Sequence, residues 1–396
     1  MSEKNTDISV QRLVIVTDCG FDLDDYAAIL WLLSTYDCPT LIITTFWKPE
    51  EKASILGCIV KILGRTNVNI VAGSGVYSGS EEYMKELYPT WPEKFGIPDY
   101  TNQNISGIPT DLIDEDSQEF QNYTCVYPYQ TKAFKENYSD LFDDPAVNVC
   151  NFPVLIDKFM NRSNLNEVTI VGIAPFTNIA YIVQNHACKI RNIITMSGWY
   201  GTFDNPIRPN YNVHMDMASA NIIFCQTKIP VLVFSSDFCN TFKMRQEEWD
   251  KFLSLDNKFG KTMLTVAKNW EIHRARKIGK QYESENEIVL SLPIMHDYIT
   301  VFCALKYLDK FKTSGIHYAL HPENIFMYET PIVFNDSCES KEPNVEKYLF
   351  TLKHKVSSNI KLVSFVDLDE DKNRSIVDEV YSSMMNQLFT IISTIQ

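Results

Sequence analysis

Four aspartates, Asp18, Asp22, Asp24 and Asp25, crowd into the run Thr17-Asp18-Cys19-Gly20-Phe21-Asp22-Leu23-Asp24-Asp25. Like charges this close repel one another unless solvent or a cation neutralises them. Carboxylate oxygens gathered in a turn are hard ligands, suited to Ca2+ or Mg2+. Gly20 lets the backbone turn tightly enough to aim several of them at one point. The same acids, Asp22 above all, could instead cap a helix and complement its dipole without any metal. What favours a site is their place directly after the apolar run Leu13–Val16, because ligands of open α/β sheets bind beyond the carboxyl ends of strands.

The elements that must hold such a loop follow from the apolar pattern. Leu13–Val16, Thr40–Thr45 and Val68–Val71 read as buried strands, with helices at about Asp24–Thr35 and Glu50–Leu63 between them. The pattern breaks at 74–145, which is rich in Tyr, Pro, Asn and acids. It resumes with a helix near Ala146–Met160, strand Val168–Val171 and a helix from Pro175, where proline suits a first turn. Strand Asn192–Thr195, helix Asp216–Gln226 and strand Pro230–Phe234 follow. Glu247 to about Lys280 reads as mostly helical and Leu292–Tyr307 as a further helix. The tail offers strands at Ile316–Leu320, Pro331–Phe334 and Ile360–Val366, then a helix from Asn373 to about Ile392. Short apolar strands alternating with helices predict an α/β fold, a mostly parallel sheet with helices on both faces. The expectation is one domain over 10–396, with the aromatic-rich insertion at 74–145 as a lid, a partner-binding surface or peripheral packing.

Composition narrows the classes. The chain of 396 residues is 45% hydrophobic and 22% charged, the balance of a globular protein with a sizeable core. Fifty acidic against 36 basic residues give a net charge of −14, which repels phosphate backbones and argues against nucleic-acid binding. Ten cysteines without a CxxC pair read as free thiols of a reducing compartment. With no apolar run of roughly 18 residues and a polar start, the expectation is a soluble, cytoplasmic protein without a membrane partner. The acidic run Asp367–Asp371 lacks the glycine of an EF-hand loop, Lys372 standing in its place, and reads as a solvated turn.

Several segments share a pattern. Val16-Thr17-Asp18-Cys19-Gly20-Phe21-Asp22-Leu23-Asp24-Asp25 fits D-T-D-x-G-x-D-x-D-D except at Val16. Val168–Ala180 contains Gly172-Ile173-Ala174-Pro175-Phe176-Thr177-Asn178, like a strand running into G-P-L-T-N-I-A. Ile194–Gly198 is similar to L-M-G-G, Asn210–Asp216 to E-x-N-x-x-x-D, and His296-Asp297 to an H-D pair opening a late helix. In this order and spacing, the chain resembles the inosine–uridine nucleoside hydrolases over most of its length outside 74–145.

That resemblance implies Ca2+-dependent cleavage of the N-glycosidic bond of a nucleoside, giving ribose and free base. It implies Asp18, Asp25, Asp297 and the backbone carbonyl of Ile173 as metal ligands, and Asp18 as the general base. Asp24 and Asn212 would bind ribose hydroxyls, with Asn210 in the same segment and Asp204 or Asn205 just before it. Met196 would line the site, and His296 would face the leaving base. Thr177 and Asn178 are expected at a helix start, outside the chemistry. Oligomers are frequent in the family, so a homo-oligomer, or a protein partner through 74–145, is a further expectation. A second reading stays open: Val16, Asn210 and Trp47-Lys48 depart from the pattern, as in a weakly active or inactive relative with a structural or ligand-binding role.

Overall fold

The computed structural model describes residues 10–20, 23–45, 49–73, 134, 137–138, 153–198, 211–214, 216, 219–220, 222–277, 292–315, 360–364 and 370–395. The chain opens with β1 (Arg12–Thr17), α1 (Asp24–Thr35), β2 (Thr40–Thr44), α2 (Pro49–Ile62) and β3 (Val68–Ala72). After the insertion come α3 (Val154–Asn161), β4 (Val168–Ile173), α4 (Thr177–His186) and β5 (Ile190–Met196). Short helix α5 (Tyr211–His214), β6 (Val231–Phe234), α6 (Ser236–Cys239), α7 (Gln246–Leu253) and α8 (Lys258–Lys277) follow. The fold closes with α9 (His296–Lys306), β7 (Lys312–Gly315), β8 (Ile360–Ser364) and α10 (Glu370–Thr394).

The strands form one sheet in the order β3-β2-β1-β4-β5-β6-β8-β7. Seven run parallel, and β7 pairs with β8 antiparallel at the edge. Alternation along β1 explains the two layers around it. Leu13 and Ile15 join one apolar layer with α1, α2, α9 and α10, while Val14 and Val16 join the other with α3 and α4. Both faces are therefore covered, as parallel sheets require. The chain first builds outward from β1 to β3, then returns to the other side of β1 with β4. Thr17 and Ile173 are partners in the β1–β4 register, so the strand order reverses beside the acidic run.

Packing brings α1 and α9 together. Trp31 of α1 lies 5.0 Å from the Phe302 ring and 6.3 Å from that of Tyr298, both on α9. Its Nε1 donates to Gln387 Oε1 of α10 at 2.9 Å, satisfying the indole while the ring fills the core. The starts of α1 and α9 thus meet over the sheet's carboxyl end. The described tail of the insertion packs on the same layer: Phe134 lies 6.3 Å from Tyr26, and Asn137 Nδ2 donates to Thr262 Oγ1 of α8. The rest of 74–145, the tail strands at Ile316–Leu320 and Pro331–Phe334, and most of the turn at Asp367 lie outside the described residues.

Several boundaries differ from the sequence reading. The segment expected from Leu292 becomes helical only at His296, because Pro293 lacks an N–H and restrains Leu292, and Ile294 bridges to Lys243. The helical stretch 247–280 divides between α7 and α8, where Asn257 Oδ1 accepts the Gly260 N–H at 2.6 Å and starts a new helix. Within 216–226, the turn Ile222–Gln226 is a π-helix rather than part of an α-helix. Among the described residues, no helix is long and apolar enough to cross a membrane.

Candidate active site

Two helix starts and one strand end build the site. Asp24 and Asp25 open α1, Asp297 stands in the first turn of α9, and Asp18 follows β1. All four are buried. Carboxylate oxygens of Asp24, Asp25 and Asp297 lie within 4.8 Å of one another. Asp24 is the hub: Oδ1 accepts the Asp25 N–H at 3.0 Å, and Oδ2 accepts the Asp297 N–H at 3.3 Å. It therefore satisfies a backbone donor at the start of α9 while standing in the acidic group. Asp25 also accepts a hydrogen bond from Thr17 Oγ1, whose oxygen accepts the Cys19 N–H at 3.1 Å.

Electrostatics follow from burial. Asp18 is pushed up to about 6, first by loss of solvent and then by Asp24, with Lys52 pulling the other way. Asp25 is raised well above the ordinary carboxylate range by burial, then by Asp18 and Asp24. Burial likewise lifts the Cys19 thiol, so Cys19 is a neutral packing residue rather than a nucleophile. Buried carboxylates that resist ionisation are short of positive charge. Hard oxygen donors in this arrangement fit a divalent cation.

The sequence-derived candidates fall as follows. Asp25 and Asp297 meet in the trio, and Asp24, expected on ribose, completes it. The Asp18 carboxylate is not one of the three, although its charge acts on Asp25 and that of Asp24 acts on it, and Ile173 ends β4 next to Thr17. Asn212 is buried, its Nδ2 donating to the Met196 carbonyl at 3.1 Å, so both gather at the carboxyl end of β5. The His296 ring is partly exposed, with Nε2 at 3.0 Å from Asn240 Oδ1 and Nδ1 at 4.0 Å from Asp24 Oδ2. Because that amide oxygen only accepts, this arrangement places a proton on Nε2. Thr177 Oγ1 donates to Asp216 Oδ2 and Asn178 Nδ2 to Thr45 Oγ1, each at 2.7 Å. Asn210, Asp204, Asn205, Asp22 and Trp47-Lys48 lie outside the described residues.

Three contributors escaped the sequence reading: Thr17 behind Asp25, Asn240 behind His296, and Lys52. The Lys52 ammonium is buried and donates to the carbonyls of Asp18 and Thr45, each at 3.0 Å. Its signal was available, since Lys52 shares the i, i+3, i+4, i+7 stripe with Ile55, Leu56 and Ile59 of α2. Val16 is fully buried in the apolar layer of Val14, Ile43 and Ile179, and Asp25 is hydrogen-bonded by Thr17.

Known proteins share this framework. The pyrimidine-specific ribonucleoside hydrolase RihA of Escherichia coli O139:H28 is 29% identical over 251 residues, covering 62% of this chain and 67% of the relative. The purine-preferring ribonucleoside hydrolase from Gardnerella vaginalis has the same fold, with a TM-score of 0.57 at 16% identity over 97% of this chain and 99% of its own. A plant nucleoside hydrolase, PpNRh1, gives a TM-score of 0.57 at 16% identity, over 96% of this chain and 99% of its own. The profile of the inosine-uridine preferring nucleoside hydrolases matches residues 13–370, taking in β1, the acidic run and the His296-Asp297 pair. With its carboxylates gathered at the strand-order reversal and that match across most of its length, the chain belongs to the inosine-uridine preferring nucleoside hydrolase family.

Proposed function

We propose that this enzyme is a Ca2+-dependent N-ribohydrolase, splitting nucleosides into ribose and free base. The observation that carries the reading is the convergence of Asp24, Asp25 and Asp297 beside Asp18, all buried where the sheet reverses. Asp18, Asp25, Asp297 and the Ile173 carbonyl are assigned to the ion, and the position of Asp24 in the trio adds it as a neighbour of that ion. When bound, a hard divalent cation supplies Lewis acidity toward a water molecule and a fixed positive charge among the acids.

The chain's own groups supply the remainder. Asp18, whose burial raises it in the ion-free protein, would be held as a carboxylate beside the cation and take a proton from the attacking water. Water oxygen bonds to the anomeric carbon as the carbon–nitrogen bond breaks, and that electron pair leaves with the base. Positive charge develops on the sugar, and buried carboxylates close by favour it without reorganising. Asp24 accepts from one ribose hydroxyl. Asn212, its Nδ2 anchored on the Met196 carbonyl, offers Oδ1 to another. Asn210, with Asp204 or Asn205, is assigned to the same sugar, and Met196 to its apolar border. His296 is assigned to protonation of the departing base, which requires Nε2–H to exchange Asn240 for the base. A cytoplasmic place in nucleoside salvage accords with the chemistry.

Incubation with a panel of purine and pyrimidine nucleosides in Ca2+ is expected to release ribose and base in equal amounts, measured as reducing sugar and by chromatography. Folded, Ca2+-loaded protein that releases neither from any nucleoside would contradict the assignment.

A further inference from the structure

Among the described residues, Lys52 is the one buried side chain that carries positive charge. Its placement runs against two ordinary preferences. It lies in the first turn of α2, where the helix dipole disfavours a cation, and burial removes the ammonium from water and lowers its pKa. A surface lysine would meet neither cost. The ammonium is committed to two backbone oxygens just beyond strand ends, those of Asp18 after β1 and Thr45 after β2. These two ends are also joined directly, because the Thr45 N–H donates to the Thr17 carbonyl at 2.9 Å. From the same peptide unit Asp18 projects its carboxylate beside Asp24 and Asp25.

We infer that Lys52 is a positioning residue and internal counter-ion of the acidic site, clamping the β1 and β2 ends so that Asp18 is held in place whether or not a cation is bound. The inference rests on the cation-dependent reading above and extends it to the empty site. With the ion absent, Lys52 offsets part of the negative charge of Asp18 and Asp25. With the ion present, the charge is shared, but the direction of the Asp18 peptide still depends on the clamp. Loss of Lys52 should therefore weaken the empty protein far more than the loaded one, and slow turnover even at saturating ion.

The test uses the full chain and Lys52→Met, which keeps the length of the side chain and removes its charge and donors. Melting temperature is measured in chelator and in saturating Ca2+, and kcat and KM are measured in saturating Ca2+. The variant is expected to lose at least twice as much melting temperature in chelator as in Ca2+. Its kcat should fall by about 10- to 100-fold, the usual range for groups that orient ligands, with KM for the nucleoside nearly unchanged. Lys52→Gln, which keeps a shorter donor, is expected to recover part of kcat but none of the stability in chelator, and carries the same comparison if Lys52→Met does not fold. Equal losses in chelator and Ca2+ with unchanged kcat would overturn the role of Lys52 alone. A wild-type protein that Ca2+ neither stabilises nor activates would overturn both this role and the reading beneath it.

Discussion

Asp18→Asn is expected to lower kcat by about 10²–10⁴-fold, the range for losing a positioned general base, while the protein stays folded. Asparagine matches the shape of aspartate but cannot take a proton from water. KM should change far less, because the sugar contacts are assigned to Asp24 and Asn212. The wild-type pH profile of kcat/KM should rise as Asp18 ionises and then level off, with a bound cation shifting the rise below the value of about 6 set by burial in the ion-free protein. The substitution carries a second, opposite signature in chelator. A carboxylate whose pKa is raised on folding binds its proton more tightly in the native state, so its ionisation opposes folding as pH rises through the folded value. Asp18→Asn removes that cost. The variant should therefore be more stable than wild type at pH 8 without Ca2+, with the difference shrinking as pH falls below about 6. Unchanged kcat in Asp18→Asn would remove Asp18 from the chemistry.

Asp297→Ala is expected to abolish tight Ca2+ binding while sparing the fold. The start of α9 is tied to α1 through the Asp297 backbone N–H and Asp24, a contact that does not use the Asp297 carboxylate. Groups that merely orient ligands are worth about 10- to 100-fold in affinity or activity, and a direct ligand should reach the top of that range or pass it. At a Ca2+ concentration 100 times the wild-type Kd, the ion stabilises the native state by about 2.7 kcal/mol. A 100-fold weaker variant at the same concentration keeps only about 0.4 kcal/mol. Calorimetric titration and thermal melts in Ca2+ and chelator measure both effects. Wild-type affinity in Asp297→Ala would remove Asp297 from the ion.

Most of the scaffold is readable where one physical signal dominates. Strands β1 to β6 are mostly apolar and largely buried, so runs such as Leu13–Val16 and Pro230–Phe234 mark them directly. Strand β7, Lys312–Gly315, has no such mark. It takes its conformation from pairing with β8, a tertiary event that the segment Lys-Thr-Ser-Gly does not announce. The break between α7 and α8 was similarly hidden, since it depends on what the Asn257 side chain meets after folding.

The site divides along the same line. Asp18, Asp24 and Asp25 fall within eight residues, so their crowding shows in the primary structure. That Asp297 joins Asp24 and Asp25 depends on α1 packing against α9 around Trp31, and it entered only through the order of the family's segments. Lys52 and Asn240 belong to none of the segments that carry the family's pattern. Their roles are set by which oxygen or ring nitrogen the fold places 3.0 Å away. Asp24 shows the converse. Its sequence role was a sugar contact, whereas its folded position also makes it the link between two helix starts.

The most direct test is nucleoside hydrolysis on one preparation, stripped of metal by chelation and then titrated with Ca2+. A cation held by the buried aspartates requires that the stripped protein be silent and that turnover return in proportion to Ca2+ bound, saturating at a single ion per chain. Full turnover in excess chelator, or none at any Ca2+ concentration, would contradict it.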